Sequence, residues 1–332
     1  MPFINKTSIL VESSINKGLT LFELSKNIVS TNIDSDLNNI DSRILFNGEY
    51  SFIDIWLDID DKDNIYGILN DKKGKLQNLI ITSDNVDLNT IIKYDYKNFY
   101  IKFTYIKKVN SENHIFYYSI DKKYPYCAYI IHLYKSPNIC KKTRIDFINY
   151  SILTNFVITY NNNVPTIFYF KLVNHHEELF SSTFNENLYT WSSPEQITNS
   201  KKDKIYLSAI IDNENNYHIV FAENNKNRYY CKYIQGNFIN NNFTISSEKY
   251  ISKNSMCVFP NLISTCSKIY IQWIEYFDLY TSESLDSGKS WSKPKLNYSA
   301  SDLPFQRYEF RSNNNIYNTS TIYALKNYSI LL

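Results

Sequence analysis

Residues 206–222 read YLSAIIDNENNYHIVFA, and this stretch decides the fold. An alternating apolar run from Tyr206 to Ile211 precedes a polar turn, and a second run extends from Tyr217 to Ala222. Alternation with a period of two is typical of a half-buried strand, and Asn and Asp residues between two such runs are typical of a tight turn. The stretch therefore predicts a β-hairpin with its turn at 213–216.

The same pattern recurs along the whole chain. The turns fall at 61–64, 111–113, 161–163, 213–216, 266–268 and 313–315, and the second runs begin at Ile65, His114, Val164, Tyr217, Ile269 and Ile316. Successive second runs start 47 to 53 residues apart, which is the length of a four-stranded propeller blade. A β-sandwich is the competing all-β fold, but it needs no such period. The repeats predict one β-propeller domain over residues 1–332, almost without helix.

Six blades are expected, because five repeats are complete and the two ends of the chain can share the sixth. In this interpretation a strand near Ser8 to Glu12 joins the C-terminal strands between Phe305 and Leu332. Such sharing closes a propeller and removes exposed sheet edges. The turn Asn16-Lys17-Gly18, followed by Leu19 to Leu24, leaves a seven-bladed propeller as the alternative.

The composition indicates a compact globular chain and argues against several partners. Of the 332 residues, 43% are hydrophobic, and 35 basic residues nearly balance 33 acidic ones to give a net charge of +2. Evenly spread charge without a basic stripe argues against nucleic acid as a partner. The five scattered cysteines fit neither a disulfide framework nor a zinc site, so no metal and no other cofactor is expected.

The N-terminal residues lack a charged leader followed by an apolar run, so no signal peptide is predicted. No apolar stretch reaches the about 20 residues that a helix needs to cross a bilayer. These features predict a cytoplasmic protein without a membrane span, and we expect it to be a monomer.

One local motif stands out in the fifth repeat. Ser284-Leu285-Asp286-Ser287-Gly288-Lys289-Ser290-Trp291 fits the pattern Ser-x-Asp-x-Gly-x-Ser/Thr-Trp at every defined position. Asp286 can accept hydrogen bonds from backbone N–H groups of a turn, and Ser284 adds a local hydroxyl. Gly288 allows a positive φ without steric cost, and Trp291 can pack its ring under the hairpin. The motif therefore predicts a structural turn.

A degenerate copy of this motif ends at Trp191, 100 residues before Trp291. In this copy Thr183 would replace the Ser, Asn185 the Asp and Asn187 the Gly, with one extra residue before Trp191. Asn tolerates a positive φ better than other non-Gly residues, so the last replacement is physically sensible.

The two motifs resemble the Asp box, or bacterial neuraminidase repeat, of sialidase-like β-propellers. The resemblance covers residues 150–300 well and extends to residues 50–150 only through the hairpin period. In that family the box joins the third and fourth strands of a blade, away from the active site. The resemblance implies a fold that hosts both enzymes and non-enzymes.

A sialidase site, as the resemblance implies it, would contain an arginine triad, a Tyr nucleophile assisted by a Glu, and an Asp acid/base. The first arginine would lie in a Phe/Tyr-Arg-Ile-Pro motif, but the nearest match, Ser42-Arg43-Ile44-Leu45, lacks the aromatic residue and the proline. Nothing in the sequence around Arg228 or Arg307 supports a triad with Arg43. We therefore expect no catalytic residues, with a sialidase-like glycoside hydrolase as the alternative.

Binding residues are expected on the face opposite the Asp boxes, in turns between the second and third strands of the blades. These turns mix aromatic and charged residues, as binding surfaces do. The candidate ligand-binding residues are His175, Glu177, Arg228, Glu275 and Asp278. Adjacent strand residues point to opposite faces, so the pair at 175–176 is not expected to hold a metal. The sequence predicts a module for a glycan or a protein partner and identifies neither.

Overall fold

A computed structural model describes residues 3–15, 17–82, 85–240, 242–253, 256–314 and 316–332. Strands make up 62% of the chain, which confirms the all-β prediction. Helix in these residues is a single turn, α1 (Tyr298–Asp302), and the Asn297 side chain caps it by accepting from the Ala300 N–H at 3.2 Å. No helix of the described chain is long and apolar enough to cross a membrane.

Twenty-seven strands follow one another along the described chain. The first twelve are β1 (Phe3–Glu12), β2 (Leu19–Leu24), β3 (Asn27–Ile33), β4 (Asn39–Asn47), β5 (Ile55–Ile59), β6 (Ile65–Asn70), β7 (Lys75–Ile81), β8 (Val86–Lys93), β9 (Phe99–Val109), β10 (Glu112–Asp121), β11 (Cys127–Lys135) and β12 (Cys140–Asn149). The others are β13 (Val157–Asn161), β14 (Val164–Val173), β15 (His176–Asn185), β16 (Thr190–Trp191), β17 (Glu195–Gln196), β18 (Lys204–Ile211), β19 (Tyr217–Asn224), β20 (Tyr229–Ile239), β21 (Asn242–Tyr250), β22 (Val258–Ser264), β23 (Ile269–Glu275), β24 (Asp278–Ser284), β25 (Lys295–Leu296), β26 (Phe305–Ser312) and β27 (Thr321–Leu325).

The strands form the six sheets of a six-bladed β-propeller, as predicted. Four blades contain four consecutive strands each, β5–β8, β9–β12, β18–β21 and β22–β25, and a fifth contains β13 to β17. The sixth sheet has the order β27-β26-β1-β2-β3-β4, which confirms that strands from both ends of the chain share one blade. The segment Leu19–Leu24 is β2 of this sheet and starts no seventh blade. Asn16, in the turn before it, lies outside the described residues.

The hairpin turns lie close to where the sequence placed them, with two differences. β10 already begins at Glu112, so the turn before it is centred on Asn110, at φ 54°, and not on 111–113. The last predicted run, from Ile316 to Ile322, is a strand only from Thr321. The backbone of Asn318 instead exchanges two hydrogen bonds with Ser264, of 2.8 and 3.0 Å, as an isolated bridge. Asn315, in the turn predicted at 313–315, lies outside the described residues.

An aspartate opens several hairpin turns and accepts two backbone N–H groups of its own turn. The Asp60 carboxylate accepts from the N–H groups of Lys62 and Asn64, both at 2.9 Å. The residue before Asn64, Asp63, has a left-handed backbone with φ 62°. The same bonds recur at Asp34, Asp71 and Asp212. Because these bonds are local, the turn residues themselves set the hairpin register.

The chain separates into two compact units. Unit 1 contains Met1–Asn5, Asn149–Arg307 and Ile316–Leu332, and unit 2 contains Lys6–Ile148 and Tyr308–Asn315. In unit 1, buried cores form around Phe221 and around Trp273, and in unit 2 around Leu57 and around Ile115. These cores lie where the apolar faces of neighbouring strands meet. The prediction of a single domain stays a prediction.

Candidate functional site

The Asp286 carboxylate is used entirely within its own turn. It accepts from the Ser290 N–H at 2.8 Å and from the hydroxyls of Ser290 and Ser284 at 2.5 and 2.8 Å. Bonds from Ser290 and then Ser284 lower the pKa of Asp286 to about 2. Gly288 follows with φ 83°, a left-handed conformation that favours glycine. The bonds of this exposed carboxylate therefore connect residues 284 to 290 of the turn.

Trp291 anchors the same turn to the blade before it. Its ring lies 4.9 Å from that of Tyr233, edge to face, and its indole N–H donates to the Gly288 carbonyl at 3.1 Å. The Tyr233 hydroxyl in turn bonds the buried His218 ring at 2.7 Å, and His218 contacts Asp212 at 3.0 Å. Buried polar groups paired in this way stabilise the junction of two blades.

The degenerate motif has the same strand bonds but a different turn. Ser192 Oγ accepts from the Thr183 N–H at 3.0 Å, just as Ser292 Oγ accepts from the Glu283 N–H at 3.0 Å. By these bonds Thr183 corresponds to Glu283 and not, as expected, to Ser284. Asn185 Oδ1 accepts from the Leu188 N–H at 3.1 Å, and Trp191 packs against Phe184 with ring centres 5.5 Å apart.

The residue with a positive φ in the degenerate turn is also not the expected one. Tyr189 has φ 51°, and Asn187 is not left-handed. The extra residue before Trp191 displaces the left-handed position toward the end of the turn. Asn187 therefore does not take the role of Gly288.

The five candidate binding residues divide into exposed and buried groups. His175 and Arg228 are exposed in turns, and Asp278 is half-buried at the start of β24. Glu177 is buried and accepts from the backbone N–H of Ser151 at 3.3 Å and from its hydroxyl. Glu275 is buried and accepts from the Trp273 indole N–H at 2.8 Å. Glu177 therefore bonds the segment between β12 and β13, and Glu275 bonds within its own strand, β23.

A feature that the sequence analysis missed lies at the start of two neighbouring inner strands. Tyr206 in β18 and Phe259 in β22 have left-handed backbones, with φ 60° and 51°. At both positions the strand pairing shifts register, which marks a β-bulge. A left-handed aromatic residue costs about 1–3 kcal/mol, and such strained residues concentrate at functional sites.

The two bulges bring their aromatic rings together beside a cation. The ring centres of Tyr206 and Phe259 are 4.5 Å apart, and the Arg307 guanidinium lies 4.3 Å from the centre of the Phe259 ring. The Tyr323 hydroxyl donates to the Phe259 carbonyl at 2.7 Å and fixes the bulge. Tyr206, Phe259 and Arg307, all half-buried, are called the aromatic platform below.

Charged and polar groups surround the platform in unit 1. His176 Nδ1 lies 2.9 Å from the Asp203 carboxylate, three residues before Tyr206. Burial raises the pKa of Tyr229, and the carboxylates of Asp203 and Glu177 raise it further. Burial also raises the pKa of Tyr206, while the charge of Arg307 opposes this shift. The charge of Arg307 therefore acts on Tyr206 of the platform, while the acids Asp203 and Glu177 act on Tyr229.

Lys204, two residues before Tyr206, fixes the start of β18 from within the protein. Its side chain is fully buried, and its Nζ donates to the Glu178 carboxylate at 2.7 Å and lies 3.7 Å from that of Glu223. Ser200 Oγ and the carbonyls of residues 177 and 202 also lie 2.7 to 3.0 Å from Nζ, so its three N–H groups are shared among four acceptors. Burial raises the pKa of Glu178, but hydrogen bonds from Lys204 and Thr198 outweigh it and lower the pKa.

Two of the three arginines considered for a sialidase triad, Arg43 and Arg307, have other local partners, and so does Arg311. Arg43 donates to the Thr82 carbonyl at 2.5 Å, and Arg307 stacks on Phe259. Arg311 is buried, stacks 3.5 Å from the centre of the Trp56 ring and donates to the Leu57 carbonyl at 3.0 Å. Within the described residues no group of three or more His, Cys, Asp or Glu side chains could hold a metal.

The fold is similar to that of a polysaccharide lyase. An ulvan lyase of family PL25, solved bound to -[GlcA(1-4)Rha3S]-, has a TM-score of 0.63 and 9% identity, over 98% of this chain and 92% of that one. The GH93 α-L-arabinofuranosidase of Fusarium graminearum, solved in complex with arabinobiose, has a TM-score of 0.51 and 11% identity, over 82% of this chain and 92% of that one. The WD40 domain of SCAP from fission yeast has a TM-score of 0.50 and 11% identity, over 96% of this chain and 72% of that one.

These similarities show the fold alone, because all three identities are very low. No family model matches the chain, and no curated protein matches its sequence. The propeller prediction is therefore supported by the solved structures, while the resemblance to sialidase-like propellers stays a prediction.

The sequence did contain one signal for the platform. Tyr206 and Phe259 occupy the same place in consecutive repeats, two residues before Ser208 and Asn261, whose side chains bond each other at 3.3 Å. Each is an aromatic residue near the start of the apolar run that forms the inner strand. Arg307 gives no comparable signal, because it comes from a distant part of the sequence.

Proposed function

We propose that this chain is a non-catalytic, glycan-binding β-propeller and that the aromatic platform is its binding site. The observation that carries the proposal is the pair of left-handed aromatic residues, Tyr206 and Phe259, at adjacent bulges. Each bulge turns a ring that would otherwise continue the strand alternation, and the two rings meet beside Arg307.

The chemistry of the platform suits a sugar. Aromatic rings stack on the apolar C–H face of a pyranose, and guanidinium groups donate paired hydrogen bonds to hydroxyls and carboxylates. Two of the structurally similar proteins act on polysaccharides or arabinosides, which supports a sugar over a protein partner. A protein partner is the other outcome that the experiment below must distinguish.

Binding is favoured over hydrolysis by the state of the nearby carboxylates. A glycoside hydrolase generally needs two carboxyl groups placed on either side of the scissile bond. Near the platform, Glu177 is buried in bonds to Ser151, and Asp203 contacts His176. We therefore propose that the bound sugar is released unchanged.

The test is a glycan array on the full chain, followed by titration calorimetry with the glycans that bind. We expect Tyr206→Asn, which tolerates the left-handed backbone, and Arg307→Gln each to weaken binding by about tenfold or more. Tyr298→Ala is the matched control, because Tyr298 is an exposed tyrosine of the same unit outside the platform.

Three results would contradict the proposal. They are an array without any binder, full affinity in both platform variants, and cleavage of chromogenic glycosides that Arg307→Gln abolishes. The last would restore a sialidase-like glycoside hydrolase as the function.

A further inference from the structure

A basic groove in unit 2 shares no residue with the aromatic platform. Its walls are the β6–β7 turn and the connection from β8 to β9, and its volume is about 370 Å³. Four lysines line it, Lys73, Lys75, Lys93 and Lys97, and all four are exposed. Such a local concentration of like charge is unusual in a chain whose net charge is only +2.

Two of these lysines face each other directly. Lys75 of β7 and Lys93 of β8 are cross-strand partners in the antiparallel register. Like charges in this arrangement repel, because directly opposite side chains have Cβ atoms only about 5 Å apart. An anion bound between them would remove this repulsion.

The groove retains a positive charge after its acids are counted. No hydrogen bond or ion pair of the four lysine side chains is found among the described residues. Asp95 lines the groove and attracts Lys97, but its carboxylate is held by the Asn98 amide at 2.7 Å and by the Lys97 N–H at 3.0 Å. Asp71 accepts backbone bonds in the adjoining turn. Four cations against these two anions leave a positive groove.

The backbone of the groove is held in place before any ligand binds. Gly74, at φ 103°, accepts from the Tyr94 N–H at 2.8 Å, and a Cβ there would lie 2.7 Å from the Tyr94 carbonyl. The Tyr94 hydroxyl donates to Asn70 at 2.7 Å. Lys122 donates to the Tyr96 carbonyl at 2.7 Å, and Tyr96 is 45% exposed.

We propose that this groove binds an acidic saccharide, with a sulfate or carboxylate group between Lys75 and Lys93 and a sugar ring against Tyr96. The exposed ring favours a saccharide over a free inorganic anion, since it offers an apolar face for C–H groups. The volume is in the range of small-ligand sites. The groove and the aromatic platform consist of different residues, so this proposal extends the proposed function and does not depend on it.

The experiment is titration calorimetry of the full chain with a sulfated heparin hexasaccharide, an unsulfated oligogalacturonate of equal length and a neutral cello-oligosaccharide. We expect one or both acidic probes to bind and the neutral one not to bind at this groove. Affinity should fall steeply between about 50 and about 300 mM NaCl.

Lys75→Gln and Lys93→Gln should each weaken acidic binding by about fivefold and together by about twentyfold. Without ligand, Lys75→Gln should melt at the same or a higher temperature, because the cross-strand repulsion is lost. Lys62→Gln is the matched control, an exposed lysine of unit 2 in the turn at the opposite end of β6.

Several outcomes would overturn this proposal. They are undiminished binding in the double variant, equal loss in Lys62→Gln, equal affinity for inorganic sulfate, and equal affinity for a single-stranded oligonucleotide of matched charge. Tyr206→Asn should leave acidic binding at the groove intact, so failure here and failure at the aromatic platform can be told apart.

Discussion

Replacing Lys204 by Met should destabilise the protein more than any change at a surface lysine. The ammonium group of Lys204 is fully buried and balances the buried carboxylates of Glu178 and Glu223. Met keeps the apolar length of the side chain but leaves Glu178 in a low-dielectric site without its cation, and Glu223 with the partly exposed Lys202 at 3.8 Å. Removing one partner of a buried ion pair lowers the free energy of unfolding by about 3–5 kcal/mol.

This free energy corresponds to a measurable change in melting temperature. With an unfolding entropy of about 2.1 cal/mol/K per residue, the melting temperature of a chain of 332 residues falls by about 1.4 °C for each kcal/mol of unfolding free energy that is lost. Lys204→Met should therefore melt about 4–7 °C below the parent protein at pH 7. Lys202→Met, which removes a partly exposed cation 3.8 Å from Glu223, should cost no more than about 1 kcal/mol.

The pH dependence provides a second test of the same reasoning. In the parent protein the lowered pKa of Glu178 contributes stability above the unfolded pKa of a glutamate, and this is lost as pH falls. In Lys204→Met the uncompensated carboxylate has a raised pKa, so it is least costly when protonated. The difference between the two proteins should be largest near pH 7 and shrink toward about pH 4. Equal melting temperatures at pH 7, measured by calorimetry, would refute this reasoning.

Two further predictions concern buried groups. Burial lowers the pKa of His114 to about 4 and also lowers the pKa of His132, whose ring stacks on it. The free energy of unfolding should therefore fall as the pH drops from about 6.5 to about 4, and His114 should account for about 3 kcal/mol of this loss. Urea titrations across this range should show the loss, His114→Phe should reduce it, and the exposed His175→Gln should not; a flat profile would contradict the assignment. In Gly288→Ala the new Cβ would lie 2.0 Å from the Tyr233 hydroxyl, so unfolding should become easier by about 2–4 kcal/mol. Gly48→Ala, where φ is also positive but the nearest atom is a Tyr50 side-chain carbon at 3.1 Å, should cost less, and an equal cost would exclude the contact as the cause.

The blades could be predicted from the sequence because their hairpins are encoded locally. In turns such as the one opened by Asp212, the side chain bonds N–H groups two and four residues later, so the signal lies within five residues. The spacing of these turns then gives the blade length. The strand at Thr321 was misplaced because the preceding residues pair with Ser264, which no local pattern reports.

The aromatic platform could not be predicted in the same way. The face of the sheet to which the Tyr206 and Phe259 side chains point depends on the bulges in β18 and β22. A bulge is set by the pairing of one strand with another, which a single strand's sequence does not show. The buried Glu177 likewise bonds Ser151, 26 residues away, which the turn sequence does not reveal, and Glu275 is buried although it ends a strand next to an exposed turn. Charged residues in a turn were therefore a poor guide to exposure.

The sheet that contains both β1 and β26 has a consequence for the order of folding. Ser312 donates to the Glu12 carboxylate at 2.6 Å, and Asn313 accepts from the Ser14 N–H at 2.9 Å, across some 300 residues of chain. At a synthesis rate of about 5–20 residues per second, β1 waits about 15–60 s on the ribosome for this neighbour. During that time one row of its backbone groups is an unpaired edge, open to strands of other nascent chains. Closing so long a loop is slow, so the arrival of β26 decides when β1 loses its unpaired edge.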